Sequence, residues 1–102
     1  DQASINTEGV YITMQDGGAV RAVFDGKVSN IFNQYGRYIV LVSHGEYFTV
    51  YANLRSVSVS VGDKVETKQN IGVIGNTGDD AILSFQIRRI TLPLNPEAWI
   101  SK

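Results

Sequence analysis

YIVLVS at Tyr38–Ser43 and YFTVYANL at Tyr47–Leu54 are the two strongest β-strand patterns in the chain, and His44-Gly45-Glu46 alone separates them. Both runs are rich in β-branched and aromatic residues, which favour strands. A three-residue connection that contains Gly is typical of a β-hairpin. We therefore predict a central antiparallel hairpin, with the rest of the domain built around it.

Shorter strand patterns surround this hairpin, with Gly, Asp and Asn between them. They are Val10–Thr13, Ala19–Phe24, Lys27–Phe32, Val57–Val61 (valines alternating with serines), Asn70–Ile74 and Ile82–Arg88. Asp25-Gly26 predicts a tight hairpin turn. Asn95-Pro96-Glu97 predicts a short closing helical turn, because Asn caps helices and Pro suits the first helical position. Short, regularly spaced strands predict an all-β fold, an antiparallel sandwich or open barrel.

Composition limits the classes of function. A chain of 102 residues predicts one domain, and its net charge of -1 gives no reason to expect nucleic acid as a partner. There is no cysteine, which excludes disulfides and thiolate metal sites. No apolar run approaches the roughly 18 residues that a membrane-spanning helix needs, so we predict no membrane span.

Several stretches, taken together and in order, resemble the LytM-type domains of the M23 peptidase family. They are Gly9–Ile12, Ala19–Val28, Tyr35–Leu54 (YGRYIVLVSHGEYFTVYANL), Val59–Gly75 and Leu83–Arg88, followed by Asn95-Pro96. The resemblance runs from about Gly9 to the end of the chain. It implies a single LytM-like domain over residues 1–102, in which residues 1–8 form a poorly ordered or extended lead-in.

The resemblance also shows which residues are missing. Active members of the family cleave peptidoglycan cross-bridges with one zinc ion, held by a His-x-x-x-Asp motif and the second His of a His-x-His motif. Two further histidines, the first of His-x-His and one in Tyr-Ala-His-Leu, assist the attacking water. The corresponding residues here are Thr7 and Tyr11, Ile82 and Ser84, and Asn53. None of the five matches the family, so we expect a degenerate domain with no peptidase activity.

The chemistry of these residues leads to the same expectation. Catalytic zinc normally takes three protein ligands of the His, Cys, Asp or Glu type. The chain has one histidine and no cysteine. The resemblance places that histidine, His44, in the turn of the central hairpin, outside the zinc set. We therefore expect no metal and no cofactor.

A domain that has lost its catalytic residues can still keep the groove in which they lay, and this groove can bind a partner. Tyr and Arg are enriched where proteins hold other proteins. By its resemblance to the family, the groove would be lined by Tyr11, Tyr35, Arg37, Tyr51, Asn53, Ser84, Gln86 and Arg88.

The partner is also implied by the resemblance. Degenerate domains of this kind occur in cell-division factors that bind periplasmic N-acetylmuramoyl-L-alanine amidases and activate them by capturing a regulatory helix. The resemblance therefore implies a regulator located in the periplasm or the cell envelope. The alternative is a non-enzymatic module that binds peptidoglycan or supports an envelope complex.

Overall fold

The computed structural model describes residues 4–14, 17–75 and 81–91, which form eight strands and no α-helix. The strands are β1 (Ser4–Thr13), β2 (Ala19–Arg21), β3 (Gly26–Gln34), β4 (Arg37–Ser43), β5 (Tyr47–Val57), β6 (Lys64–Val65), β7 (Asn70–Ile74) and β8 (Ile82–Thr91). Within those ranges no helix is long and apolar enough to cross a membrane. The predicted helical turn at Asn95-Pro96-Glu97 lies outside the described residues.

The strands form one antiparallel sheet, which confirms the all-β prediction. Its order is β1-β8-β5-β4-β3-β6, and β7 joins β5 to β2. The predicted central hairpin is β4 and β5, paired from Ser43 with Phe48 to Tyr38 with Leu54. Residues 4–8 lie within β1 and pair with β8, so this part of the expected lead-in is an extended strand.

The predicted hairpin turn at Asp25-Gly26 is wrong. β2 pairs with β7, whereas β3 pairs with β4 and β6. Asp25 Oδ1 accepts hydrogen bonds from the Thr67 backbone N–H at 2.6 Å and the Thr67 hydroxyl at 2.8 Å. His44 Nδ1 donates to the Asp25 carbonyl oxygen at 2.6 Å. These long-range bonds direct the chain from β2 across to β3 rather than back along β2.

The predicted strand at Val57–Val61 is right only at its first residue, where β5 ends. Beyond it, Ser60 N–H donates to Asp63 Oδ2 at 2.9 Å and Asp63 N–H donates to the Ser60 carbonyl at 3.0 Å. These bonds close a turn. The alternation is still meaningful, because Val57 and Val59 pack against the core while the intervening serine is exposed.

A β-bulge in β5 sets which side chains enter the core. Tyr38 pairs with Leu54 and Ile39 pairs with Ala52, so Asn53 is an extra residue with no partner in β4. Asn53 has a φ of 75°, in the left-handed region that Asn tolerates better than most residues. Because of this extra residue, Tyr51 and Leu54 both point into the core and are fully buried, although they are three positions apart.

Candidate functional site

The register of five strands places a row of side chains on one side of the sheet. Tyr11 pairs with Ser84, and Ser84 pairs with Ala52. Ala52 pairs with Ile39, which in turn pairs with Phe32. Paired residues of antiparallel strands project to the same side. We call this side of β1, β8, β5, β4 and β3 the outer face; at ~4.8 Å per strand its central row spans about 19 Å.

The opposite side of the same strands is the core. Tyr51 pairs with Phe85 and Val40, and its exposed fraction is 0%. Its hydroxyl accepts a hydrogen bond from the Val23 backbone N–H at 2.9 Å, and its ring lies 5.4 Å from that of Phe85. Tyr51 therefore offers no surface to a partner, and the expectation that it lines a binding groove is wrong. The side-chain alternation of β5 is the physical reason.

Two further rows complete the outer face. The first consists of Gly9, Gln86, Val50, Leu41 and Asn30, and the second of Thr7, Arg88, Phe48, Ser43 and Lys27. Arg37 also lies on the outer face, on the other side of the central row, because side chains alternate along β4 and Arg37 is two residues from Ile39. Four residues of the expected groove, Tyr11, Ser84, Gln86 and Arg88, thus share the outer face with Arg37.

Four of the five family zinc and catalytic positions lie close together at one end of the outer face, and the fifth, Thr7, lies further along β1, where it pairs with Arg88. Thr7, Tyr11, Ile82 and Ser84 all fall on the outer face, because Thr7 pairs with Arg88, Tyr11 with Ser84 and Thr13 with Ile82. Asn53 reaches this group from the bulge: its Nδ2 donates to the Ile82 carbonyl oxygen at 2.7 Å. Tyr11, Ser84, Ile82 and Asn53 are therefore neighbours in the sheet.

These residue types do not fit a zinc ion. A hydroxyl, a phenol, an amide and an aliphatic side chain replace the imidazoles and the carboxylate that zinc prefers. Tyr11 is 81% exposed at the edge of the row. Among the described residues, no group of three or more His, Cys, Asp or Glu side chains could hold a metal. No step of hydrolysis can therefore be derived through a metal at this site.

The single histidine is engaged elsewhere. His44 Nδ1 faces the Asp25 carbonyl oxygen at 2.6 Å, and Nε2 faces the hydroxyl of the fully buried Thr49 at 2.8 Å. A carbonyl oxygen can only accept, so Nδ1 carries a proton. The ring also stacks on Tyr47, with centroids 5.3 Å apart. His44 is a structural residue of the hairpin turn, as its position in the sequence indicates.

One carboxylate near this histidine has a perturbed pKa. The Thr67 backbone N–H and, next, the Thr67 hydroxyl lower the pKa of Asp25, and the charge of His44 adds a smaller effect in the same direction. Hydrogen bonds to the ionised form stabilise it. Asp25 therefore serves as an anionic anchor between the β6–β7 turn and β3, on exposed surface.

Sequence reasoning missed the β3–β4 end of the outer face. Phe32 is 49% exposed and pairs with Ile39 across the turn Tyr35-Gly36. Both turn residues have positive φ, 54° and 80°, as a two-residue hairpin turn requires, and Tyr35 is 97% exposed at its tip. Counting back from this turn along β3 would have placed Phe32 beside Ile39. Tyr35 itself lies beyond the rows.

Comparisons with known proteins agree with this fold. The model of peptidase family M23 matches residues 6–96. In solved structures, the chain superimposes on LytU with a TM-score of 0.70 at 30% identity, covering 91% of this chain and 71% of that one. It superimposes on the catalytic domain of lysostaphin from Staphylococcus simulans with a TM-score of 0.63 at 27% identity, covering 92% and 78%.

Curated relatives include both uncharacterized proteins and murein hydrolase activators. An uncharacterized protein of Haemophilus influenzae is 37% identical over 94% of this chain and 24% of its own length. The murein hydrolase activator EnvC of Escherichia coli is 32% identical over 99% and 25%. The murein hydrolase activator NlpD of Salmonella typhimurium is 30% identical over 91% and 26%. The chain spans about a quarter of the length of these relatives. The protein belongs to peptidase family M23, and its fold is that of the LytM-type domains of this family.

Proposed function

We propose that this domain is a non-catalytic regulator of peptidoglycan hydrolysis, which binds a cell-wall amidase through its outer face and activates it. The observation that carries the proposal is the cluster of Tyr11, Ser84, Ile82 and Asn53 on the outer face, whose side chains do not suit a zinc ion. Tyr11 pairs with Ser84, Thr13 pairs with Ile82, and Asn53 Nδ2 donates a hydrogen bond to the Ile82 carbonyl oxygen. Relatives named murein hydrolase activators support it. A periplasmic or cell-envelope location follows from the same proposal.

Activation by binding alone has a clear physical requirement. A ligand shifts a conformational equilibrium only by its difference in affinity for the two states. An amidase whose regulatory helix covers its own active site would be activated if the outer face held that helix in the uncovered state. The domain then needs a surface that buries side chains, and no reactive group. Tyr11, Ala52, Ile39 and Phe32 supply such a surface.

The test is release of dye from labelled murein sacculi by candidate periplasmic amidases, with and without the domain. We expect no release by the domain alone and increased release by one amidase when the domain is added. Tyr11→Ala should weaken the increase, whereas Val61→Ala, an exposed residue outside the three rows, should not. Chelator-sensitive release by the domain alone would refute the proposal. So would failure of every candidate amidase to respond.

A second function is favoured by two exposed aromatic rings. Tyr11 is 81% exposed and Tyr35 is 97% exposed, and aromatic rings with a polar tip suit contacts at a hydrated surface. The domain would in that case hold peptidoglycan or an envelope complex without regulating an enzyme. Sedimentation with purified sacculi separates the two functions: direct binding that Tyr11→Ala and Tyr35→Ala abolish, without amidase activation, supports this second function.

A further inference from the structure

We infer that two copies of this domain associate side by side through their β1 strands, which pair antiparallel and join the two sheets into one. The pairing needs no amidase, so it goes beyond the proposed function and is independent of it. Three properties of β1 carry it: an open edge, apolar side chains exposed on both sides of that edge, and an edge sequence that matches itself.

β1 forms a long and regular edge of the sheet. It is ten residues long and, among the described strands, pairs with β8 alone and without a register shift. The backbone groups that point away from β8 therefore have no partner strand in the part of the chain that the structure describes. From Gly9 to Thr13 the strand has no charged residue and no proline. Such an edge is a template for pairing with another chain.

The other free edges that the structure describes are protected. β6 has two residues and carries Lys64, and β2 has three residues and carries Arg21. The register of β2 shifts between Val20 and Arg21, and that of β3 shifts between Val28 and Asn30, beyond its pairing with β6. Short strands, charges and bulges all hinder pairing at an edge. β1 has none of these protections.

Apolar side chains are exposed on both sides of β1. Tyr11 lies on the outer face and is 81% exposed, whereas Val10 and Ile12 project to the opposite side and are 53% and 42% exposed. A helix or loop that packed against one side of the sheet would leave the other side uncovered. A strand added at the edge shields both sides at once, because its own side chains alternate. The occupant that fits β1 is therefore a β-strand.

The strand that matches β1 is β1 of a second copy. In an antiparallel pair centred on Tyr11, this residue faces the partner's Tyr11, and Val10 faces the partner's Ile12 on the opposite side of the sheet. Aromatic and β-branched pairs across two strands stabilise a sheet. Centring the pair on Gly9 would instead set Val10 against a carboxylate, that of the partner's Glu8. Two identical edges occupy each other about a two-fold axis, so the association stops at two copies.

This pairing has a consequence for the outer face. The two-fold axis is perpendicular to the joined sheet, so both outer faces point in the same direction and form one continuous surface. The two Tyr11 side chains stand next to each other at the junction, because directly paired residues project to the same side. A molecule bound at this end of the outer face would then contact both copies.

Sedimentation velocity of the chain measures the association. Between about 10 µM and about 1 mM we expect a monomer–dimer equilibrium. Val10→Lys and Ile12→Lys each place a charge in the edge and should raise the Kd of the dimer by about tenfold or more. Val61→Lys, at a residue that is 60% exposed between β5 and β6, should change the Kd by less than about twofold. A single monomeric species over the whole range would overturn the inference.

Cross-linking tests the register. The chain has no cysteine, so one introduced thiol can form a disulfide only with another copy. Directly paired residues have Cα atoms about 4.5–5.5 Å apart, within the range of a disulfide. Tyr11→Cys should therefore give a covalent dimer on mild oxidation. Thr13→Cys should not, because its two copies lie about 13 Å apart in this register. Equal cross-linking of the two variants would indicate random collision and overturn the pairing.

The outcomes are separate from those of the proposed function. A monomeric domain that activates an amidase contradicts the pairing and leaves the proposed function standing. A dimer with the expected cross-link, to which no amidase responds, upholds the pairing while the proposed function fails. Thermal unfolding of each variant confirms that a lost dimer is not a lost fold.

Discussion

Asn53 and Ile82 are joined by a hydrogen bond of 2.7 Å from the amide Nδ2 to the carbonyl oxygen. Both occupy positions where the resemblance to active M23 peptidases places histidines. In this chain the Asn53 side chain is the donor and the Ile82 backbone carbonyl is the acceptor. The bond therefore connects the bulge of β5 to the start of β8. The two residues therefore help to hold the sheet together at this point.

Asn53→Ala should lower the free energy of unfolding. The loss of the hydrogen bond costs about 1 kcal/mol, and a φ of 75° costs Ala a further 1–2 kcal/mol, roughly. Asn53→Gly loses the bond but accepts the backbone angle, so its loss should be smaller. Urea unfolding measures both. Asn30→Ala, at an exposed position of β3 on the same face, is the control. Equal losses for Ala and Gly at position 53 would show that the angle is not a constraint.

Tyr51→Phe tests the assignment of Tyr51 to the core. The ring remains, but the Val23 N–H loses the hydroxyl that it bonds at 2.9 Å. We expect the free energy of unfolding, measured in urea, to be lower by about 1–2 kcal/mol. Amidase activation at a temperature where the variant is folded should be unchanged, because the side chain has no exposed surface. A variant of normal stability that fails to activate would place Tyr51 at the binding surface instead.

Asp25 should make the domain sensitive to acid. Its pKa is lowered in the folded state by the Thr67 N–H and hydroxyl. A carboxylate with a depressed folded pKa stabilises the fold above its unfolded pKa, and this contribution is lost as the pH falls through the folded value. The stability of the wild type should therefore fall below about pH 4. Asp25→Asn should be less stable at neutral pH and show a shallower fall. The test is to measure the urea midpoints of the wild type and of Asp25→Asn at several pH values. If the two midpoints fall in parallel with pH, Asp25 is not the source of the acid sensitivity.

Zinc should leave the thermal midpoint of the domain unchanged. A metal that binds the folded state raises its stability in proportion to the logarithm of its concentration over the dissociation constant. Both nitrogens of His44, the single histidine, are already engaged by Asp25 and Thr49. Differential scanning fluorimetry with zinc, and with a chelator, measures the effect. A rise with zinc that His44→Ala abolishes would mean that the ring leaves its partners to bind metal.

The sequence predicted best where the pattern and the long-range contacts agree. The hairpin of β4 and β5 follows from two strand patterns and a short turn, and the pairing of Ser43 with Phe48 completes it. The turn at Asp25-Gly26 was misread because its signal is local, whereas its path is set by Thr67 and His44, which lie far along the chain.

The candidate site shows the same limit. The sequence alone allowed a comparison with the family at Thr7, Tyr11, Ile82 and Ser84. No local sequence pattern, however, indicated which side of the sheet Tyr51 faces. The bulge at Asn53 decides that, by adding one residue between the buried Tyr51 and Leu54. A one-residue shift exchanges the two sides of a strand. Periodicity without the register therefore could not separate core residues from groove residues.

β1 has a mechanical consequence for the outer face. Among the described strands it pairs with β8 alone, through a ladder that runs from Ser4 with Thr91 to Thr13 with Ile82. Tension between the amino end of β1 and the carboxyl end of β8, which meet at Ser4 and Thr91, would break these bonds one after another from that end rather than all together in shear. Tyr11 would leave the face while the remaining rows on β5, β4 and β3 stay paired. A pull on the chain could thus loosen a bound partner without unfolding the domain.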